Sequence, residues 1–424
     1  MSTFAGTGAN GLNPDDIDIV LSEYEESKPI TLSESADRIL RHEINGGPEK
    51  DGDRIEVRYQ RDGQAILKAK QYVGVIGLPN GPTIEIQPKA TGTNLLHLLR
   101  YSQGVEPLTA EQKTKLRAGD TFIDALAAMF DAELSGVLDK GLSKGYRERQ
   151  STEQHLRGRL DLQRQIQRQG LKPTAFESTY SELTQDTIVN RAILYATSIL
   201  IGLTQDRELT QSLQRHQQVI RRQIELRPVS PEELEHVQLN RLNNYYTDIL
   251  RLTRLVLQNI NIAELERGSR PSFGLLVNMN SVFESVVTRA ATSAIQSFNG
   301  WRVVSQDRSQ NLVEGGNHSV TLKPDLTIYD GNSSVQLVAD AKWKTGSPTN
   351  ADFYQIASYQ LAHDVPGILI YPQQEGAVQS RCVVANSQEL TLMELPTSDS
   401  VDSYQEFSAV IEERMAQEIE SLAT

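Results

Sequence analysis

Two short stretches carry acidic and basic residues at a spacing that could do chemistry. They are Lys323-Pro324-Asp325-Leu326-Thr327-Ile328-Tyr329 and Val335-Gln336-Leu337-Val338-Ala339-Asp340-Ala341-Lys342-Trp343, with Asp330-Gly331-Asn332 between them. Both read as strands, and the Asp-Gly step is a strong hairpin signal. Asp325 falls near the start of the first strand and Asp340 near the end of the second, so an antiparallel pairing sets them side by side. Lys342, two residues beyond Asp340, projects from the same strand face. Two hard carboxylates can hold Mg²⁺, which takes oxygen ligands and keeps several waters. Such an ion polarises a phosphate and acidifies a bound water. A neighbouring ammonium can orient that water or offset charge developing on the phosphate. The set fits phosphodiester hydrolysis. The opposing reading is a cross-strand ion pair on a solvated face, which would show the same residues.

Three neighbours favour chemistry. Asp340 closes the stretch Val335 to Ala339, which is too apolar for an exposed charge ladder. Glu284 lies on the helix expected before the sheet, where it could add a third carboxylate or be a solvated helix residue. Gln355 and Tyr359, four apart on the following helix, share one face and can both point at the site. Pro324-Asp325 followed by Asp340-Ala341-Lys342 resembles the PD-(D/E)xK nuclease signature, and Gln355-x-x-x-Tyr359 its RecB-like branch. Other features carry less. Trp343 could stack on a base or be core. Arg147, Arg149, Arg157, Arg159, Arg164 and Arg168 could meet phosphates or a protein partner. Interspersed Glu148, Glu153 and Asp161 equally suit a solvated helical face. The seven histidines show no metal-ligand spacing.

The elements that must position these residues point to a multidomain α+β chain. At 424 residues it exceeds the usual single core. Residues 1–30 are polar and Gly-, Asn- and Asp-rich, and read as a loose lead-in. Residues 31–93 form a β-rich domain, with alternation over 54–59, 65–69 and 83–87 and an Asn80-Gly81 turn. Residues 94–268 read as a mostly helical domain, and 269–424 as the α/β domain bearing the site. In that last domain a helix is expected from Leu275 to Ser297, before strands at 301–304, 319–329 and 334–343. One cysteine, Cys382, excludes an intrachain disulfide framework. No secretory signal and no apolar run long enough for a membrane span occur, which makes the cytoplasm the default location. The net charge of −13 argues against a protein that coats nucleic acid, though not against an enzyme with a local groove. No Gly-x-x-x-x-Gly-Lys-Ser/Thr is present, so a nucleotide-driven step would need another subunit.

The chain as a whole resembles the McrC family, the nuclease subunits of McrBC 5-methylcytosine-specific restriction systems. The resemblance is carried by Gly74 to Leu78, Ile84-Glu85-Ile86-Gln87-Pro88-Lys89, Leu95 to Tyr101, Leu156-Arg157-Gly158-Arg159-Leu160-Asp161, Thr184 to Asn190, Asn278 to Glu284 and the nuclease motifs above. It implies a restriction-endonuclease-like fold for the C-terminal domain and a Mg²⁺-dependent endonuclease acting on double-stranded, methylated DNA. Asp325 and Asp340 would hold the metal and Lys342 would assist the attacking water. It also implies a hexameric McrB-like AAA+ GTPase partner, engaged through the N-terminal region, and McrC–McrC contact joining two motor assemblies. The alternatives are a stand-alone repair or recombination nuclease of the same superfamily and a non-catalytic regulator of an AAA+ partner.

Overall fold

The structure is a computed structural model and describes residues 17–46, 53–89, 92–105, 121–169, 174–263, 272–315, 317–374, 378–397, 401 and 403–422. In chain order come β1 (Ile19–Ser22), α1 (Glu34–Ile39), β2 (Ile55–Tyr59), β3 (Ala65–Ala69), β4 (Tyr72–Gly77), β5 (Thr83–Gln87), α2 (Gly92–Gln103) and α3 (Phe122–Lys140). There follow β6 (Gly145–Glu153), β7 (Arg159–Leu160), α4 (Leu162–Gln169), β8 (Phe176–Thr184), α5 (Ile188–Leu203), α6 (Arg207–Arg221), α7 (Glu232–Glu235) and α8 (Thr247–Asn259). The last third holds β9 (Ile260–Ala263), β10 (Ser272–Asn278), α9 (Met279–Ala294), β11 (Arg302–Ser305), β12 (Asn311–Gly315), β13 (His318–Thr321), β14 (Leu326–Tyr329) and β15 (Val335–Ala341). It closes with α10 (Asn350–His363), β16 (Gly367–Pro372), β17 (Ser380–Val383), β18 (Glu389–Leu395) and α11 (Tyr404–Leu422).

The chain divides into two compact units, Phe130–Gln258 and Asn13–Met129 with Asn259–Thr424. The expected break near residue 93 is thus displaced into α3, and the first and last parts of the sequence form one unit. The cause is β10. The stretch 275–278, expected to begin a helix, is strand, and it pairs antiparallel with β4 from Phe273–Gly77 to Asn278–Tyr72. The resulting sheet runs β1-β5-β4-β10-β9. Gly74 makes the close approach possible. It sits at φ +139, and a Cβ there would lie 1.9 Å from the Leu275 carbonyl oxygen. The Asn80-Gly81 hairpin forms as expected, with Asn80 in the left-handed region. Tyr72, Ile76, Ile86, Leu276 and Leu21 bury against Ile39 and Leu40 in one core. Residues 1–16 of the expected lead-in lie outside the described residues. The remainder is not loose, because β1 pairs parallel with β5.

In the other unit, the segment expected as a helical face is largely extended. β6 pairs with β8 along nine residues, from Gly145–Thr184 to Glu153–Phe176. Its arginines meet cross-strand carboxylates, Arg147 with Asp186 at 3.2 Å and Arg149 with Glu182 at 2.9 Å. Arg164 reaches the buried Glu177 at 3.4 Å, and Arg157 lies over the Tyr180 ring at 4.0 Å. This is the charge-paired reading, carried on the strand β6 by Arg147 and Arg149 and on the helix α4 by Arg164. The Thr184–Asn190 motif is structural. Thr187 caps α5, and the fully buried Asn190 bonds the Ser143 and Gln185 carbonyls and the Tyr246 hydroxyl.

The second sheet of the first-and-last unit runs β11-β14-β15-β16-β18-β17. β15, β16 and β18 are parallel neighbours, and β14 is antiparallel to β15. The β14–β15 connection is the loop Asp330–Ser334, built on the expected Asp330-Gly331-Asn332 turn. Asp330 Oδ1 accepts from the Asn332 and Ser334 N–H groups, Ser333 takes φ +63, and the register shifts at Tyr329. Asp330 satisfies the turn amides with its own carboxylate, so the glycine need not supply the left-handed residue. The helix α10 packs Ile356 and Tyr359 against Val338, Leu369 and Tyr371. The helix α9 packs on β11 and β15, and α2 and α11 pack on α9. Among the described residues no helix is long and apolar enough to cross a membrane.

Candidate active site

Across the β14–β15 pair Leu326 stands opposite Ala339, which makes Asp325 and Asp340 the next residues outward. Asp325 is half-buried, and its Oδ2 accepts the Ala341 N–H at 2.8 Å. Asp340 is completely buried. Its Oδ2 lies 2.6 Å from Lys342 Nζ, and its Oδ1 meets no N–H or hydroxyl donor among the described residues. A lone buried carboxylate is costly, so the ammonium that covers it is a requirement of the fold.

The Lys342 ammonium is held from a second side. It donates to Gln355 Oε1 at 2.8 Å, and Gln355 Nε2 donates to the Tyr359 hydroxyl at 3.0 Å. That hydroxyl donates to the Lys323 carbonyl at 3.1 Å. The chain of bonds runs from β15 through α10 back to the turn before Asp325, so three elements fix one ammonium. Burial pushes the Tyr359 hydroxyl up to about 12, which keeps it a donor at neutral pH. Glu284 is half-buried on α9 and accepts from Gln306 Nε2 at 3.2 Å. Burial, then the charges of Asp340 and Glu284, hold the Asp325 carboxyl well above the usual range. Burial raises Asp340 as well, against the opposing pull of Lys342.

A cleft of about 470 Å³ opens over this group. Asp325, Lys342, Gln355, Tyr359 and Glu284 all line it, whereas Asp340 lies beneath, covered by Lys342. The structure thus brings all six sequence-derived residues together, five on the wall and one behind it. Two carboxylates with an unsatisfied buried oxygen suit a hard divalent cation that keeps part of its water shell. Among the described residues no group of three or more His, Cys, Asp or Glu forms a metal cage. Asp325 and Asp340 could give such an ion two carboxylate oxygens, the rest of its shell remaining water.

Trp343 is core. It is buried, its ring packs on Phe283 at 5.5 Å between centroids, and its indole N–H is taken by Glu23 at 2.8 Å. Glu23 itself escaped the sequence reading, as did Tyr24, Gln71 and Gln306 of the cleft wall, while Asn280 and Ser281, also on that wall, were read only as part of the Asn278–Glu284 motif. The signal that could have found Glu23 was the alternation Ile17, Ile19, Leu21, a short strand just before it.

Residues 67–372 match the family described as McrBC 5-methylcytosine restriction system component. The chain belongs to that family. The Type IV methyl-directed restriction enzyme EcoKMcrBC of Escherichia coli (strain K12) is 21% identical over 356 residues, covering 75% of this chain and 99% of the relative. Among solved structures, the refined half-complex from the tetradecameric assembly of Thermococcus gammatolerans McrB AAA+ hexamers with bound McrC contains a chain of similar fold. The TM-score is 0.59 at 17% identity, covering 93% of this chain and 99% of that one. The McrBC match spans β3 to β16, and so takes in Glu284, Asp325, Asp340, Lys342, Gln355 and Tyr359.

Proposed function

We propose that this chain is the endonuclease subunit of a McrBC-like, modification-dependent restriction complex, with a PD-(D/E)xK cutting centre that uses Mg²⁺ on double-stranded DNA. The observation that carries the reading is the convergence of Asp325, Asp340 and Lys342 on one strand pair, beneath a cleft open to solvent. Membership in the McrBC family and the fold likeness to a chain of a McrB–McrC assembly support it. On the same basis the chain takes the McrC role, binding a hexameric AAA+ GTPase of the McrB kind and meeting a second copy of itself across two motors.

Asp325 and Asp340 would hold Mg²⁺, which when bound acidifies a water and polarises the phosphate. The chain's own groups do the rest. Lys342 presents a fixed ammonium at the cleft wall, where negative charge grows on the phosphate as the bond breaks. Gln355 and Tyr359 hold that ammonium in place, so no reorganisation is needed during the reaction. Glu284, steadied by Gln306, adds a carboxylate on the α9 side that can accept a proton or a hydrogen bond from an incoming water.

The test is cleavage of methylated duplex DNA by the full chain with its AAA+ partner, GTP and Mg²⁺. Double-strand cutting is expected from the wild type. Lys342→Ala should remove cutting and leave stimulation of the partner's GTP hydrolysis intact. Equal cleavage by Lys342→Ala would refute the assignment.

A further inference from the structure

Six non-glycine residues have positive φ among the described residues. Asn80 and Asp364 are residue types that adopt this conformation readily, and Ser333 and Ser387 are small turn residues that do not line the cleft. Tyr24 (φ +65) and Gln306 (φ +49) are bulky, and both line the cleft. Gln306 has a visible task, since it holds Glu284 and donates its N–H to the Asp325 carbonyl at 3.1 Å. Tyr24 has none of that kind, and its hydroxyl makes no hydrogen bond among the described residues.

Tyr24 occupies the third position of the turn Ser22–Glu25, closed by the Glu25 N–H on the Ser22 carbonyl at 3.0 Å. A left-handed residue at that position is normally Gly or Asn. An aromatic there is strained, and such strain persists only where the surroundings impose it. Here they do. On one side Glu23 takes the Trp343 indole and the Lys89 N–H at 2.8 and 2.9 Å. On the other the Ala69 N–H donates to the Glu25 carbonyl at 3.0 Å. The Lys89 ammonium stands over one face of the Tyr24 ring, 4.7 Å from its centroid. Tyr24 nevertheless remains 39% exposed and forms part of the cleft wall. An aromatic surface is therefore held in the same cleft wall as Asp325 and Lys342 at a cost in backbone conformation, with no hydrogen bond from its hydroxyl among the described residues.

We propose that Tyr24 is a substrate-contacting residue that stacks on a nucleobase flanking the phosphate presented to Asp325 and Lys342. The inference rests on the nuclease reading. Stacking on an aromatic side chain is tolerant of base identity, which suits a cutting centre that need not read sequence. The adjoining Lys89 strengthens the ring as a platform near phosphates.

The experiment is steady-state cleavage of duplex DNA by the full chain with its AAA+ partner, GTP and Mg²⁺, comparing Tyr24→Leu, Tyr24→Phe and Tyr24→Gly. The Gly variant suits φ +65 and guards against misfolding. Loss of one stacked base should raise KM for DNA about tenfold in Tyr24→Leu and Tyr24→Gly, with the effect on KM rather than kcat. Tyr24→Phe should recover most of that loss. In parallel, duplex carrying 5-iodouracil should photocrosslink to the peptide containing Tyr24. Wild-type KM in both Tyr24→Leu and Tyr24→Gly overturns the inference, including the case where melting temperature alone falls, since that marks a purely structural tyrosine. Cutting that needs Lys342 but ignores Tyr24 overturns this inference alone. A wild-type chain that never cuts DNA overturns the nuclease reading and this one with it.

Discussion

Among the described residues Lys342 is the cation paired with Asp340, and this makes a quantitative test of the centre possible. The pair is 2.6 Å apart, with side chains 21% and 1% exposed for lysine and aspartate. At an effective dielectric constant of about 20 the direct attraction is about 6 kcal/mol. Desolvation of both groups offsets much of it, and truncating the lysine would admit water. The net loss expected for Lys342→Met is therefore about 3 kcal/mol, at the low end for breaking a buried pair. Asp340→Asn in the same chain removes the stranded charge, so the double variant should be more stable than Lys342→Met by about 2 kcal/mol. Both tryptophans, Trp301 and Trp343, lie in the unit that holds the site. Urea unfolding in EDTA followed by tryptophan fluorescence thus reports on that unit alone. With Mg²⁺ the Lys342→Met penalty should shrink, because the ion supplies the missing countercharge. Strictly additive losses in the double-mutant cycle would refute the pairing, and neither variant should cut DNA.

Asp325→Ala should abolish the heat of Mg²⁺ or Mn²⁺ binding in calorimetry, while wild type gives a saturable signal; an unaltered titration would remove Asp325 from the ligand set. Burial holds the Glu23 carboxyl above its ordinary 4.5, against the pull of Lys89 and Trp343. The folded state therefore keeps this proton longer than the unfolded chain, and the stability it contributes is full below pH 4.5 and lost as pH rises through the raised folded value. Glu23→Gln should flatten that fall in denaturation curves measured from pH 4 upward, and an unchanged slope would refute it. Ser333 is held at φ +63 in the hairpin loop, so Ser333→Gly should stabilise the chain by about 1 kcal/mol in urea unfolding. A loss of stability would show that the serine is needed there.

The site was legible because its chemistry is local. Asp325, Asp340 and Lys342 sit on one hairpin, and Gln355 and Tyr359 on one helix face, so strand and helix periods alone set them in register. What escaped the sequence depends on contacts across long separations. Leu275-Leu276-Val277 suits a strand or a helix equally well, and pairing with Tyr72–Gly77 decides it. The 145–153 segment looked like a charged helix because alternating Arg and Glu fit both periods; β8 supplies the partner that makes it a strand. Glu23 is 320 residues from Trp343, and nothing near either residue announces their bond.

β10 leads directly into α9, the helix that carries Glu284, while its own partner strand lies two hundred residues earlier. Asn13–Met129 and Asn259–Thr424 therefore form one compact unit from two distant stretches of chain, with Phe130–Gln258 inserted between them in sequence. A fragment beginning at residue 269 would carry Glu284, Asp325, Asp340, Lys342, Gln355 and Tyr359 but leave β10 without β4 and β9, and Trp343 without its acceptor. A truncation that removes β4 therefore reaches α9, through the strand that leads into it.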